Sequence, residues 1–183
     1  MVLNPSIQEH AHQELACSLQ PLHLPLVSDR PNLPYNSAIV QEIWRWNPSV
    51  PLALPHMASA DDEYKGMKIE KGSTVWANVW GILHDEAVFP DPFEFRPERY
   101  LGDGEDKRRA REAVKVAFGL GRRYVTVNTL STCIRLIELG SICPGMYLAE
   151  NTVFVTVATL LQVFSFKPAD GEPITVRHTG FIR

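Results

Sequence analysis

Apolar residues recur at helical spacing near the start of the chain, where Ile7, Ala11, Leu15 and Leu19 fall on one helix face. Asn4 followed by Pro5 is a helix start, a capping side chain ahead of proline in the first turn. A helix is therefore expected over 4–18. Residues 20–34 carry Pro21, Pro25, Pro31 and Pro34 and read as an extended connection. A second helix is expected over 35–47, ended by Pro48. From 50 to 79 the pattern changes to short strand-like runs, Val50–Leu54, Gly66–Ile69 and Ser73–Val79, with turns at Gly66 and at Lys71-Gly72. Residues 82–108, rich in Pro, Asp and Phe, predict an irregular segment, and a short helix fits 109–117. The last strong helical pattern covers 144–163, and strand character returns from Lys167. The expected fold is mainly α with a small β-sheet.

Length and composition narrow this only a little. The 183 residues suffice for one domain with a core, and 45% hydrophobic content is that of an ordinary globular chain. A net charge of -3 gives no reason to expect a nucleic-acid partner. The cysteines, Cys17, Cys133 and Cys143, are odd in number and in no metal-finger spacing, so no disulfide framework is expected. The first residues lack a signal-peptide pattern. The apolar run from Val153 to Phe166 is broken by Thr156, Thr159, Gln162 and Ser165, too short and too polar for a bilayer span.

Three segments carry candidate chemistry. Glu42-Ile43-Trp44-Arg45 lies on the second helix, where positions three apart share a face, so Glu42 and Arg45 can pair. Such pairs are also common on plain solvated faces. Phe95-Arg96-Pro97-Glu98-Arg99-Tyr100 lies in the irregular segment. Phe118-Gly119-Leu120-Gly121-Arg122-Arg123 is followed, only after residues 124–141, by Ile142-Cys143-Pro144-Gly145.

Together these segments resemble the cytochromes P-450. That family of haem-thiolate monooxygenases carries Glu-x-x-Arg, then a Pro-Glu-Arg-Phe-like element, then Phe-x-x-Gly-x-Arg-x-Cys-x-Gly before a long helix. Order and spacing agree, and joining Arg123 to Ile142 gives FGLGRRICPG, a full match to the last motif. The resemblance extends over the chain apart from 124–141 and is nearest to microsomal-type fungal members. It implies the C-terminal part of that fold, with Cys143 as axial ligand to the iron of haem b. A thiolate there pushes electron density toward bound oxygen. Just ahead of a predicted helix, free backbone N–H groups and the positive helix end favour an anion. By the same resemblance Phe118 would pack on the proximal haem face, and Gly121 would allow the turn that aims the loop. Gly145 would let the backbone approach, Arg123 would pair with one propionate, and His56 would bind the other. Glu42, Arg45 and Arg99 would form a buried ion network acting in folding and haem retention. The implied partners are haem, an NADPH-dependent reductase and an apolar small-molecule substrate, with Val50–Leu54 and Thr179-Gly180-Phe181 facing that substrate.

The remaining notable residues have plainer readings. Cys17 and Cys133 read as structural or incidental, and His84 as a hydrogen-bonding turn residue. His10, His12, His23 and His178 read as surface or packing residues, Trp76 and Trp80 as core, and 106–112 as a solvated face.

Two departures from the family pattern set further expectations. The chain begins where the family's later half begins, without the anchor or the distal helix bearing an acid–alcohol pair. Intact relatives would sit at the endoplasmic reticulum membrane, whereas this chain would be cytoplasmic or peripheral. The haem loop, 118–145, is split by the 18 residues 124–141, which are too apolar for a typical surface loop. They span a whole number of codons, and Arg123-Tyr124-Val125 and Ser141 permit splice-signal codons, so they read as a translated intron. Alongside a monooxygenase stands the alternative of a non-catalytic fragment that binds haem weakly or not at all.

Overall fold

The computed structural model describes residues 1–119 and 143–169. Five α-helices, α1 (Pro5–Ser18), α2 (Pro34–Trp46), α3 (Val79–Leu83), α4 (Glu105–Val114) and α5 (Met146–Val163), carry the described fold. Two antiparallel pairs accompany them: β1 (His56–Met57) with β4 (Thr74–Val75), and β2 (Asp62–Tyr64) with β3 (Met67–Ile69). The architecture is mainly α with small two-stranded sheets.

Helix α2 is central because two of its faces are apolar. One face, with Ile39 and Val40, packs with Ala11 and Leu15 of α1 and Phe154, Ala158 and Leu161 of α5. Ala38 joins a second cluster with Val79, Leu83, Phe89, Tyr100 and Val114. Leu33, Ile39 and Phe154 are fully shielded, and burying each such aliphatic or aromatic group contributes about 1.5–3 kcal/mol.

The start of α2 is capped by a carboxylate from another helix. Glu14 of α1 accepts from the backbone N–H groups of Tyr35 (2.7 Å) and Asn36 (2.9 Å), and from the Asn36 side chain (2.8 Å). A negative group at a helix N-terminus satisfies otherwise orphaned donors and opposes the macrodipole favourably. Glu14→Ala is expected to cost about 1–2 kcal/mol, read as an earlier urea midpoint with unchanged slope.

Several elements differ from the sequence expectation for physical reasons. Asn4 stands at the cap of α1, but its side chain makes no capping bond; Pro5 opens the helix instead. Val50–Leu54 forms turns, with Ala53 at φ 54, because Pro51 and Pro55 deny it a ladder. The strand Asp62–Tyr64 lies in polar sequence; it pairs across Lys65-Gly66, both at positive φ as a tight hairpin turn requires. Helix α4 starts at Glu105, not 109, with Glu105 and Asp106 in its first turn where acidic groups are favoured. The last helix starts at Met146, and Cys143 and Pro144 precede it in a turn. Trp76, expected in the core, is 52% exposed. The apolar run expected to be too short belongs to an 18-residue helix of mean hydropathy 1.3, long and apolar enough to cross a membrane by length and composition. One face of that helix is nonetheless core, against α1 and α2.

Candidate functional site

Glu42 and Arg45, one helical turn apart on α2, have fully buried side chains. The contact is bidentate: Arg45 Nε donates to Glu42 Oε2 at 2.7 Å and Nη2 to Oε1 at 2.8 Å. Buried charge is tolerated only when its remaining donors and acceptors are satisfied, and here they are. Arg45 Nη1 donates to the carbonyls of Pro92 (2.7 Å) and Leu83 (3.2 Å), and Nη2 to that of Glu94 (3.2 Å). Glu42 Oε1 accepts the Arg96 backbone N–H at 2.8 Å, and Oε2 accepts the Tyr100 hydroxyl at 3.0 Å.

Arg99 completes the cluster from the 3-10 helix Pro97–Tyr100. Its Nε lies 3.4 Å from Glu42 Oε1, an ion pair without hydrogen-bond geometry. Its Nη groups bind the carbonyls of Pro90, Asp91 (2.5 Å) and Glu94 (3.2 Å). Two arginines thus thread the carbonyls of 90–94, and irregular chain with no ladder of its own is fixed onto α2. Desolvation by burial lowers the Arg99 pKa, and Glu42 opposes that shift.

Tyr100 was named from the sequence only as the end of its motif, with no role of its own. Where the family element ends in a phenylalanine-like residue, the hydroxyl here adds a bond to Glu42. Burial first, and then the facing Glu42 carboxylate, push its phenol far above the ordinary value of 10.0. Tyr35 shifts the same way, by burial and its bond to Glu98. A raised folded pKa means the folded chain keeps a proton that the unfolded chain loses. Stability is thus full below pH 10 and should fall as pH rises above about 10. Tyr100→Phe should flatten that alkaline fall, leaving the Tyr35 part, and should cost about 1–2 kcal/mol at neutral pH. Urea titrations at several alkaline pH values check both.

The second part of the site is the turn ahead of α5. Cys143 is a free, exposed thiol residue, off the helix. Its backbone N–H donates to the Phe118 carbonyl at 2.8 Å, and its own carbonyl accepts from Met146 at 3.1 Å. The residues on either side of the split motif therefore meet in space. A Cβ at Gly145 would lie 3.7 Å from Cys143 Sγ, in ordinary van der Waals contact, so Gly145 borders the sulfur. The Phe118 ring stands edge-on to Trp44 of α2, centroids 4.9 Å apart. His56 is half-buried in β1, opposite Val75. Gly121, Arg123, Cys133, residues 124–141 and Thr179–Phe181 lie outside the described residues.

The sequence profile described as Cytochrome P450 matches residues 1–124. The chain belongs to the cytochrome P450 family. Cytochrome P450 monooxygenase 45 of Postia placenta is 40% identical over 172 residues, 94% of this chain and 28% of that protein. Tryptamine 4-monooxygenase of Psilocybe cyanescens is 40% identical, covering 100% of this chain and 34% of that protein. Among solved structures, a zebra fish cytochrome P450 with abiraterone superposes with a TM-score of 0.70 at 30% identity, over 92% of this chain and 34% of that one. The chain thus spans about a third or less of the length of these relatives. The profile match stops at residue 124, where the interruption of the motif begins.

A P450 implies haem, and the described residues fit one. Among them no group of three His, Cys, Asp or Glu side chains stands ready to hold a bare metal ion. A lone exposed thiol beside a glycine suits a metal whose other ligands come from a macrocycle. The sequence reading found the charged trio but missed Tyr100, Glu14, Trp44 and the carbonyls of 90–94. Backbone acceptors carry no sequence signal, and Glu14 acts on a helix 21 residues away.

Proposed function

We propose that this chain supplies the haem b-binding part of a monooxygenase that inserts one oxygen atom of dioxygen into an apolar organic substrate. Electrons come from an NADPH-dependent reductase, and the second oxygen atom leaves as water. The observation that carries this is Cys143, an exposed thiol residue ahead of α5 whose N–H is held by the Phe118 carbonyl. When bound, haem supplies the activation of dioxygen. Cys143 would ligate the iron, Gly145 would let the macrocycle approach, and Phe118 would pack against it. His56 and Arg123 would hold the propionates, and Gly121 would allow the turn that aims the loop. Glu42, Arg45 and Arg99 touch no reactant; they hold the segment that supports the loop. For intact relatives the setting would be the endoplasmic reticulum membrane.

The test uses haem-loaded protein with NADPH, reductase, isotopically labelled dioxygen and a panel of apolar substrates. Product with one labelled oxygen atom is expected, and none from Cys143→Ser. The second reading, a non-catalytic chain that binds haem weakly or not at all, is favoured by the 18 residues that part Arg123 from Ile142. It predicts no labelled product even where haem is taken up.

A further inference from the structure

We infer that Trp44 is a positioning residue for the Cys143 loop, coupling the ion-network helix to the ligand turn. The inference rests on the haem-thiolate reading for its purpose, but its geometry stands apart from it. Trp44 lies between Glu42 and Arg45 in sequence yet joins neither charge. Its half-buried indole packs against both hydrophobic clusters of the fold. Its ring meets Phe118 edge-on, centroids 4.9 Å apart and planes at 64°. Phe118 in turn accepts the Cys143 N–H at 2.8 Å. Two contacts therefore lead from α2 to the thiol residue.

Phe118 needs such a support. It is the last residue of a short 3-10 helix, Lys115–Phe118, and Gly119 beyond it turns away at φ 112. Continuing helix does not fix its ring; the neighbouring indole does. The indole N–H makes the same point from the cost side. It is buried without an acceptor among the described residues, although a buried tryptophan N–H usually finds one. Leucine or phenylalanine would fill the gap between the clusters without that penalty. Leucine offers Phe118 no ring, and phenylalanine keeps only part of the indole's reach to it.

The experiment compares the unsubstituted chain, Trp44→Phe and Trp44→Leu. One readout needs no haem: amide hydrogen exchange of the peptide spanning Cys143, set against that of α2. The other is the share of added haem that gives a thiolate-type ferrous–CO absorption. Losing an aromatic edge contact loosens what it held by about tenfold at most. Trp44→Leu should speed loop exchange by about that factor, and lower the thiolate share likewise, while α2 stays protected; Trp44→Phe should do so by about twofold to threefold. Unchanged loop exchange, or loop and α2 exchange rising together, would overturn the inference and leave Trp44 as core filler. Should Trp44→Leu fail to fold, Trp44→Phe decides by the same comparison. A chain that shows no thiolate absorption at all would refute the haem reading alone, and the exchange data would still decide the role of Trp44.

Discussion

Glu42→Ala is expected to be the most destabilising single change in the described chain. Among the described residues, the substitution removes the carboxylate that pairs with Arg45, whose side chain is fully buried, and with Arg99, whose side chain is 7% exposed. It also orphans the Tyr100 hydroxyl and the Arg96 N–H. Leaving a buried charge without its partner costs about 3–5 kcal/mol, against a total of about 5–15 kcal/mol for a typical domain. The exposed pair Glu105–Arg108 serves as control, its side chains 75% and 67% accessible. Arg108→Ala, which breaks this exposed pair away from the helix N-terminus, should change stability by less than about 0.5 kcal/mol. Urea unfolding followed by circular dichroism measures both. A Glu42→Ala chain within about 1 kcal/mol of the parent would mean that the network holds nothing.

Deleting residues 124–141 is expected to raise haem affinity by about tenfold or more. The Phe118–Cys143 bond already joins the two sides of the motif. Removing the 18 residues shortens the chain between those anchors from 24 residues to 6, which saves about 1 kcal/mol of closure entropy. It also returns Arg123 to within one residue of Ile142-Cys143, and a binding group must be held to about half an ångström to act. Haem titration of both forms tests this. Equal affinities would mean that the segment is a tolerated excursion. Transcripts sequenced across the same stretch test the intron reading separately: a spliced message should encode FGLGRRICPG without a break.

What the sequence made legible follows from where the signal resides. Glu42, Arg45 and Arg99 were readable because charge in a motif is visible in one dimension, and the three meet around one carboxylate. Helix α1 was readable because Ile7, Ala11 and Leu15 are buried at the spacing that predicted it. The strand Asp62–Tyr64 was not, since both its faces are open or half-open and no alternation marks it. Nor was the exact start of α5: Pro144 looked like the first helical residue, but Gly145 takes the cap and the helix begins at Met146, with Cys143 ahead of it as expected. Arg99 could be matched to Glu42 by resemblance, whereas its bonds to the carbonyls of Pro90 and Asp91 depend on a loop path that composition does not encode. Asp91 itself sits at φ 52, in the left-handed region that Asp tolerates better than most residues.

The ferrous–CO spectrum of the chain with added haem, compared with that of Cys143→Ala, bears most directly on the role of Cys143. A thiolate-type absorption in the parent, absent in Cys143→Ala at equal haem and equal helix content, is the expected result. The same spectrum from both chains would show that Cys143 is not the iron ligand.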